Sequence, residues 1–412
     1  MSQKLSPNIK TSTMDFVVDG ITHVCNTFKR RAPGTQSERD AQDYFTKELG
    51  QWSDEVIVED FTLRPAAFMG FIPIAAIFGI ISSVLFYCNR FGPSNKLTIG
   101  AAVLLILAAA MFFLEFLFYR RFVDFLFPKA VSKNVYAVKK PVGEVKRRII
   151  FGGHADAAWE WTYFLHGQMK ALIPAMFGSI GGMFLALIAT IVYLAAGTPV
   201  IKGGWLVVAV LMLVLIPFYI SIMFFVNWKV IVDGANDNLT ACYASMAILK
   251  EMTENDFRFE NTEVCCLITG SEEAGLRGAK AFCRKHAKDL KKEETVYVPF
   301  EVLRECEHLT VYDRDLNGLV LSNKGVADLL INAGEKVGIT LKRSPIPLGS
   351  TDAAAFAQAG LRAAGVCGSK DTPQKYYHTR QDTCDNISPG CIQKAIELGF
   401  EAAYIFDAEG LK

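Results

Sequence analysis

The sequence has almost no excess of charge of either sign, since 43 Lys and Arg residues face 42 Asp and Glu residues and give a net charge of +1. It also lacks a basic patch interleaved with aromatic residues, which is the pattern of a surface that binds a polyanion. No internal repeat and no low-complexity tract occurs in it. Nucleic acid is therefore excluded as a partner.

The ten cysteines lack paired spacing, and two of them, Cys265 and Cys266, stand side by side in an apolar, strand-like run. This usage favours a reducing compartment over a disulfide framework. The first thirty residues contain no apolar core of signal-peptide length. We therefore expect no secretion through a cleaved signal.

Hydrophobic residues, by contrast, are abundant: they make up 51% of the chain, and the excess is concentrated in four blocks. A helix needs roughly 20 apolar residues to cross a bilayer core of about 30 Å, and each block reaches that length with almost no charge. Buried core helices are the alternative. Short turns join the blocks in pairs and predict two transmembrane hairpins, 67–127 and 171–226, built from Ala67–Cys88, Leu97–Tyr119, Ala171–Ala196 and Gly204–Val226.

The other three pieces, 1–66, 128–170 and 227–412, read as one α/β domain in which strands alternate with helices. The stretch "TQSERDAQDYFTKELGQW" predicts an amphipathic helix capped at Ser37. Strand-like runs include "RRIIFGG", "EVCCLITG" and "TVYVPFEVL". This alternation predicts a mixed, largely parallel sheet flanked by helices.

The positive charges near the ends of the four blocks predict the orientation in a membrane. Three Lys or Arg residues lie in the two turns, whereas seven lie on the side of the α/β domain: Arg64, Arg120, Arg121, Lys129, Lys133, Lys170 and Lys229. The asymmetry places the α/β domain in the cytoplasm.

Polar residues gather where the predicted strands end, which is where open α/β sheets carry their functional groups. Each has an ordinary explanation when taken alone, such as a hydrogen-bonded histidine or a helix cap. Together, two histidines and several carboxylates are the donor set of a zinc hydrolase. Carboxylates buried together without cations would repel one another strongly, and metal ions remove that objection.

These stretches occur in the order that resembles the M28 family of zinc exopeptidases: "GGHADAA", "GANDN", "SEEAGLRG", "PFEVL" and "YHTRQDT", with "GSTDAAAFAQAG" before the last. The resemblance covers the three pieces of the α/β domain and none of the apolar blocks. It implies that the apolar blocks are insertions into a peptidase fold.

The resemblance also implies a role for each residue. His154 would bind one zinc ion, Asp237 would bridge two, and Glu273 and His378 would bind the second. Asp156 would fix the tautomer of His154. Glu272 would be the general base that takes a proton from water and passes it to the leaving amine.

Two departures from the family pattern stand out. The family often has Asp as the remaining ligand, where strand position in this chain predicts Glu301; Asp313 and Asp315 of "VYDRDLNG" read instead as part of the next strand and its turn. The stretch "HADAAWEW" adds Trp159 and Trp161. Anchoring at a membrane interface and contact with substrate are both open for these two tryptophans.

The resemblance predicts a membrane-integral aminopeptidase with two co-catalytic zinc ions, which would hydrolyse N-terminal residues of short peptides through a metal-bridging hydroxide. One alternative is a hydrolase of N-acyl amino acids or lipopeptides that reach the site from the bilayer. Others are a catalytically inactive scaffold of the same fold and an enzyme that cyclises N-terminal glutamine. The sequence predicts no particular oligomeric state or side-chain preference.

Overall fold

The computed structural model describes residues 9–92, 94–370 and 374–412. Within it the chain divides into two compact units. Unit 1 comprises residues 1–65, 129–160 and 229–412, and unit 2 comprises residues 66–128 and 161–228. The α/β piece predicted to end at residue 170 ends at residue 160 in the structure. The other predicted boundaries differ from the observed ones by one or two residues.

Unit 1 is built on a ten-stranded sheet. Strand β3 lies at its centre, parallel to both of its neighbours, β6 and β7, while antiparallel pairs occur toward the edges. A separate two-stranded sheet pairs β4 with β5. The strands are β1 (Glu55–Leu63), β2 (Ala130–Lys139), β3 (Arg147–His154), β4 (Trp159–Trp161), β5 (Val226–Ile231), β6 (Thr262–Thr269), β7 (Glu294–Glu301), β8 (Thr310–Asp315), β9 (Val320–Leu321), β10 (Lys342–Pro345), β11 (Arg362–Ala363) and β12 (Val366–Cys367).

The helices follow the same chain order. They are α1 (Thr11–Thr27), α2 (Gln36–Trp52), α3 (Ala67–Cys88), α4 (Lys96–Met111), α5 (Thr162–Leu165), α6 (Gln168–Met176), α7 (Gly182–Ala195), α8 (Gly204–Val214), α9 (Ile216–Ile222), α10 (Thr240–Glu254), α11 (Arg277–Leu290), α12 (Lys324–Lys336), α13 (Asp352–Gln358) and α14 (Pro389–Glu409).

Helices cover both faces of the sheet in unit 1, because its central strands are apolar on both sides. Every residue of β6 is buried. Since successive side chains of a strand point to opposite faces, Cys266 and Ile268 join the core formed with α10 and α14. On the other face, the Tyr297 ring stacks on Phe356 of α13. The predicted fold class, a mixed and largely parallel sheet flanked by helices, is therefore confirmed.

The start of α2 differs from the prediction by two residues. The helix begins at Gln36, and the cap is Thr35, whose hydroxyl accepts a hydrogen bond from the Glu38 backbone N–H at 3.2 Å. Ser37 lies inside the first turn, where its hydroxyl donates to the Lys29 carbonyl. The side chain of Glu38 is thus turned away from solvent and fully buried.

Unit 2 holds the apolar blocks. Four helices in the described residues are long and apolar enough to cross a membrane by length and composition: Ala67–Phe91, Lys96–Leu117, Met169–Ala195 and Gly204–Ile222. Some polar groups inside the unit pair with one another, as when Ser82 donates to the Ala101 carbonyl and Asn89 to the Tyr193 hydroxyl. Large apolar side chains such as Phe177 and Leu185 are exposed on the outside. An apolar exterior of this kind is typical of helices surrounded by lipid.

The loop between β6 and α11 is closed by close packing of Gly270 and Gly278. Asn134 bridges them: its amide donates to the Gly278 carbonyl at 3.0 Å, and its oxygen accepts from the Gly270 N–H at 3.1 Å. A Cβ at residue 278 would collide with the Gly270 carbonyl oxygen and would lie 2.6 Å from the Asn134 oxygen. This contact shapes the loop that carries Glu272 and Glu273.

We predict that Gly278→Ala destabilises the protein by about 1–3 kcal/mol, because the backbone must move to admit the methyl group. Thermal unfolding of the detergent-purified protein measures this. Gly50→Ala, in the exposed part of α2 where a Cβ meets nothing within 4 Å, is the control and should be neutral or stabilising by up to about 1 kcal/mol. Equal effects of the two substitutions would contradict the packing account.

Candidate metal centre

The strands β3, β6 and β7 run parallel and therefore end at the same edge of the sheet. His154 is the last residue of β3 and lies in register with Thr269 of β6, and Glu301 is the last residue of β7. Glu272 and Glu273 follow β6 in a single tight turn, Glu272–Ala274. The topology thus brings four of the predicted residues to one place.

The other two predicted ligands come from loops. Asp237 lies in the turn Ala235–Leu239 that leads into α10, and His378 lies in the segment before α14. Both are almost fully buried. The structure therefore brings together all five predicted ligands and the predicted base from five separate segments of the chain.

Among the described residues, potential ligand atoms form three sets: one consists of His154, Glu272 and Glu273, and the other two share Asp237. His154, Asp237 and Glu301 offer atoms within 4.8 Å of one another, and so do Asp237, Glu273 and His378. Asp237 uses a different oxygen for each set: Oδ1 lies 3.2 Å from His154 Nε2, and Oδ2 lies 3.0 Å from His378 Nε2. One carboxylate between two triads is the arrangement expected of a residue that bridges two ions.

The donor atoms fit zinc. Within the described residues, the buried atoms His154 Nε2 and Glu273 Oε1 have no hydrogen-bond partner, although Glu301 Oε1 and His378 Nε2 approach them to 3.5 and 3.0 Å, respectively. Buried polar atoms without hydrogen bonds are costly. Imidazole nitrogen and carboxylate oxygen are zinc ligands, so a cation between these atoms would satisfy them.

The electrostatics of the cluster also favour cations. Burial raises the pKa of Glu272 well above its usual range and that of Glu301 to about 8. Burial opposes the ionised form of Asp237 as well, but the adjacent imidazoles of His154 and His378 outweigh it and lower the pKa of that carboxyl. Burial thus disfavours the ionised form of these carboxylates, and divalent cations would supply the positive charge that stabilises it.

Asp156 is in none of the ligand sets but orients residues of each. Its fully buried carboxylate lies 3.4 Å from His154 Nδ1, on the side of the ring away from the other ligands. Its two oxygens also accept the backbone N–H groups of Glu272 and Glu273, at 2.9 and 3.0 Å. One side chain therefore positions the histidine of one strand and both glutamates of the next.

Asp382 is a buried residue of the site to which the sequence assigns no role. Its carboxylate accepts hydrogen bonds from the Asn236 N–H and side-chain amide, both at 2.8 Å, and from the Asp237 N–H at 3.1 Å. Because Asp382 follows His378 by four residues, it ties the segments of two ligands together. The only signal in the sequence is its place in "YHTRQDT".

Arg31 is also absent from the sequence analysis, although it is fully buried. Its guanidinium donates to the carbonyls of Ala155 at 3.1 Å and Asp233 at 2.6 Å, and its own carbonyl accepts from the Ala157 N–H. These contacts join the loop after β3 to the loop before Asp237. In the sequence, "RRAPG" reads only as a basic pair before a turn.

Two further buried carboxylates surround the glutamate turn. Glu38 accepts the backbone N–H of Ser271 at 2.7 Å and its hydroxyl at 2.9 Å, so α2 holds the residue just before Glu272. Asp352 accepts the Thr269 hydroxyl at 2.5 Å from the other side. Both act on the end of β6 and fix the direction in which the turn leaves the strand.

The alternative carboxylates to Glu301 lie elsewhere in the fold. Asp315 is buried, but its carboxylate accepts the Thr351 N–H at 2.9 Å and hydroxyl at 2.6 Å. It therefore anchors the loop before α13. Asp313 lies two residues earlier on β8 and belongs to none of the ligand sets found in the described residues. Of the three candidates, only Glu301 lies beside His154 in those sets.

The two tryptophans lie on β4. Trp161 packs against Phe164 and Phe225, with ring centroids 5.1 and 4.8 Å apart, respectively. Trp159 is half-buried. These apolar surroundings of Trp161 are compatible with membrane anchoring.

We predict that Glu301→Ala loses zinc and lowers activity by more than about 100-fold, because removal of a group that only supports a ligand already costs about 10–100-fold. Zinc per chain, measured by plasma emission, and peptide hydrolysis check this. Asp313→Asn is the control and should retain both. If Asp313→Asn loses zinc and Glu301→Ala retains it, the assignment of the remaining ligand to Glu301 at the end of β7 is wrong.

Comparisons with known proteins also support the resemblance to zinc exopeptidases. The model of Peptidase family M28 matches residues 223–403, whereas no curated protein matches the sequence. An aminopeptidase from Aneurinibacillus sp. strain AM-1 has a similar structure, with a TM-score of 0.56 at 14% identity over 96% of this chain and 94% of that one.

Two other solved structures share the fold. The zinc aminopeptidase BSAP from Bacillus subtilis has a TM-score of 0.56 at 13% identity, over 97% of this chain and 96% of its own. A glutaminyl cyclase from Fimbriiglobus ruber has a TM-score of 0.55 at 14% identity, over 98% and 96%. The family match over residues 223–403 and the shared fold support the resemblance predicted from the motifs.

Proposed function

We propose that this protein is a membrane-integral aminopeptidase with two zinc ions that removes N-terminal residues from short peptides. The observation that carries the proposal is the pair of ligand sets that share Asp237. Sites with two metal ions close together occur in aminopeptidases, where they hold both the attacking and the leaving group. Each of the two sets supplies one histidine and one further glutamate.

Zinc ions, when bound, would polarise the scissile carbonyl and make water a better nucleophile at neutral pH. Five residues would hold them: His154, Asp237, Glu273, Glu301 and His378. Asp156 would keep Nε2 of His154 directed at the site, because it faces Nδ1.

Glu272 would carry the protons. Its Oε2 lies 3.9 Å from His154 Nε2, so its carboxylate reaches the same space as the ligands. It would accept a proton from the attacking water and deliver it to the leaving amine. Burial and the neighbouring carboxylates Glu273 and Glu301 raise its pKa in the protein without metal, and zinc ions would favour the ionised form that accepts a proton.

A second candidate, hydrolysis of N-acyl amino acids or lipopeptides, is favoured by the position of the insertion. Unit 2 starts at Trp161, five residues after Asp156, and the chain returns to unit 1 at Lys229, eight residues before Asp237. The ligand segments are therefore directly continuous with the apolar helices. An inactive scaffold is less consistent with a buried set of carboxylates that is so costly without metal.

We predict that the detergent-purified protein cleaves peptides with a free N-terminal amine and does not cleave the same peptides after N-acylation. Mass spectrometry of the products would distinguish hydrolysis from cyclisation of an N-terminal glutamine. Cleavage of the acylated set alone would overturn the aminopeptidase proposal in favour of the second candidate.

In the same assay we predict that Glu272→Gln lowers kcat by about 10²–10⁴-fold, the range for removal of a general base. The variant should keep its zinc, because glutamine preserves the shape of the side chain and the ligand sets that share Asp237 do not contain it. Loss of zinc together with activity would show that Glu272 is a ligand and would reverse the roles of the two glutamates.

We further propose that the four apolar helices span a membrane as two hairpins, 67–127 and 171–226, and that the peptidase domain faces the cytoplasm. Their length and composition support the first part, and the excess of Lys and Arg on the side of the peptidase domain supports the second. A bilayer would then be a permanent partner of the protein.

A membrane-impermeant maleimide tests the orientation in intact cells. In a Cys88→Ser background, we predict that Ser94→Cys, in the exposed turn between α3 and α4, is labelled. Val142→Cys, exposed in unit 1, should be labelled only after the cells are permeabilised. The opposite pattern would reverse the orientation, and labelling of both in intact cells would contradict insertion.

A further inference from the structure

Glu160 and Arg380 form a two-pronged ion pair that no step of the proposed reaction uses. Glu160 Oε2 accepts a hydrogen bond from Arg380 Nε at 2.7 Å, and Glu160 Oε1 accepts one from Arg380 Nη2 at 2.6 Å. The Arg380 backbone N–H adds a third contact to Oε2 at 3.3 Å. The carboxylate is 1% exposed, whereas the arginine side chain is 56% exposed.

The pair belongs to the segments that carry the ligands. Arg380 follows His378 by two residues, so their Cα atoms are at most about 7.6 Å apart. Glu160 follows Asp156 by four residues. The loop of Arg380 is held by a hydrogen bond from the Asp382 N–H to the Thr379 carbonyl and by another from the Thr379 N–H to the Tyr376 carbonyl. The backbone on either side of Arg380 is therefore fixed in the segment that carries the ligand His378.

The arrangement fixes a guanidinium and leaves part of it available. Nε and Nη2 are occupied by Glu160, but Nη1 has no partner among the described residues. Burial of a carboxylate is costly, and an exposed ion pair adds little to stability. A buried carboxylate that holds an exposed arginine is better explained by the need to direct that arginine, because a preoriented guanidinium binds a further carboxylate at low entropic cost.

We propose that Arg380 binds the free α-carboxylate of the substrate and that Glu160 positions it. This inference rests on the proposed function. It restricts the substrates to those in which the residue after the scissile amide is the last one and carries the free α-carboxylate. In a dipeptide, three bonds separate the scissile carbonyl carbon from the carboxylate carbon, a distance of at most about 4.3 Å. Arg380 is two residues from the ligand His378 in the chain, which supports this assignment.

The carboxylate has two possible sources, a dipeptide or an N-acyl amino acid, and both present the same group to Arg380. The experiment therefore uses two matched pairs of compounds with the full-length protein. The first pair is leucyl-leucine and leucyl-leucinamide, and the second is decanoyl-leucine and decanoyl-leucinamide. Turnover of the first pair identifies a dipeptide as the source of the carboxylate, and turnover of the second pair identifies an N-acyl amino acid.

We expect the wild-type protein to prefer the free acid of the cleaved pair. Arg380→Met should raise KM for the acid by about 10- to 100-fold, as for loss of a charge-assisted hydrogen bond, and should change KM for the amide less than about twofold. Arg380→Lys keeps the charge without the planar fork and should restore part of the preference. Glu160→Gln should weaken the preference in the same direction.

Arg258→Met is the matched control, because Arg258 forms the same two-pronged pair with Asp54, at 2.6 and 2.7 Å, at an exposed place outside the ligand segments. It should leave both KM values unchanged. If Arg380→Met raises KM equally for the acid and the amide and keeps normal thermal stability, the ion pair only holds the loop. That result would overturn the inference.

Binding separates this inference from the proposed function. Titration calorimetry of Glu272→Gln, with and without Arg380→Met, measures affinity for both pairs without turnover. If the acids bind more tightly and Arg380→Met removes the difference, the carboxylate site stands even where the aminopeptidase proposal fails. If acids and amides bind equally well to Glu272→Gln, the inference is wrong whatever the reaction.

Discussion

The structure of unit 1 depends on the confinement of several carboxylates in one buried place. Asp237, Glu272, Glu273 and Glu301 approach two histidines closely enough that the carboxylates would repel one another in the absence of cations. No single segment supplies this arrangement. The parallel strands bring three of the carboxylates, Glu272, Glu273 and Glu301, to one edge of the sheet. The loops before α10 and α14 supply Asp237 and His378. Metal charge is what makes such a centre stable.

The residues around the centre explain how its geometry is held without contact to a metal. Asp156 accepts two successive backbone N–H groups, Asp382 accepts two more, and Arg31 donates to backbone carbonyls. In each case a charged side chain binds the backbone of a ligand segment, and Asp156 also faces the ring of His154. The ligands are therefore positioned through their backbone, which leaves their side-chain atoms available for the cations.

The fold class and the composition of the centre could be predicted from the sequence because they depend on local patterns. A buried strand followed by a histidine or glutamate is visible in a few residues, and parallel strands bring such ends together. Local signals are less reliable for boundaries: the cap of α2 is Thr35 and not Ser37, since both residue types cap helices and the choice depends on where the preceding chain turns. Arg31, Glu38 and Asp382 could not be predicted to support the centre, because their partners lie 124, 233 and 146 residues away.

The position of β3 has a consequence for biosynthesis. This central strand ends at His154, but its neighbours β6 and β7 begin only at Thr262 and Glu294, after the second pair of apolar helices. At translation rates of about 5–20 residues per second, β3 remains without its partners for on the order of ten seconds. During that time the ribosome produces two apolar helices that a membrane would receive. The central strand therefore stays without its partners while those helices are made, and the metal centre can be completed only after the second pair of apolar helices has been synthesised.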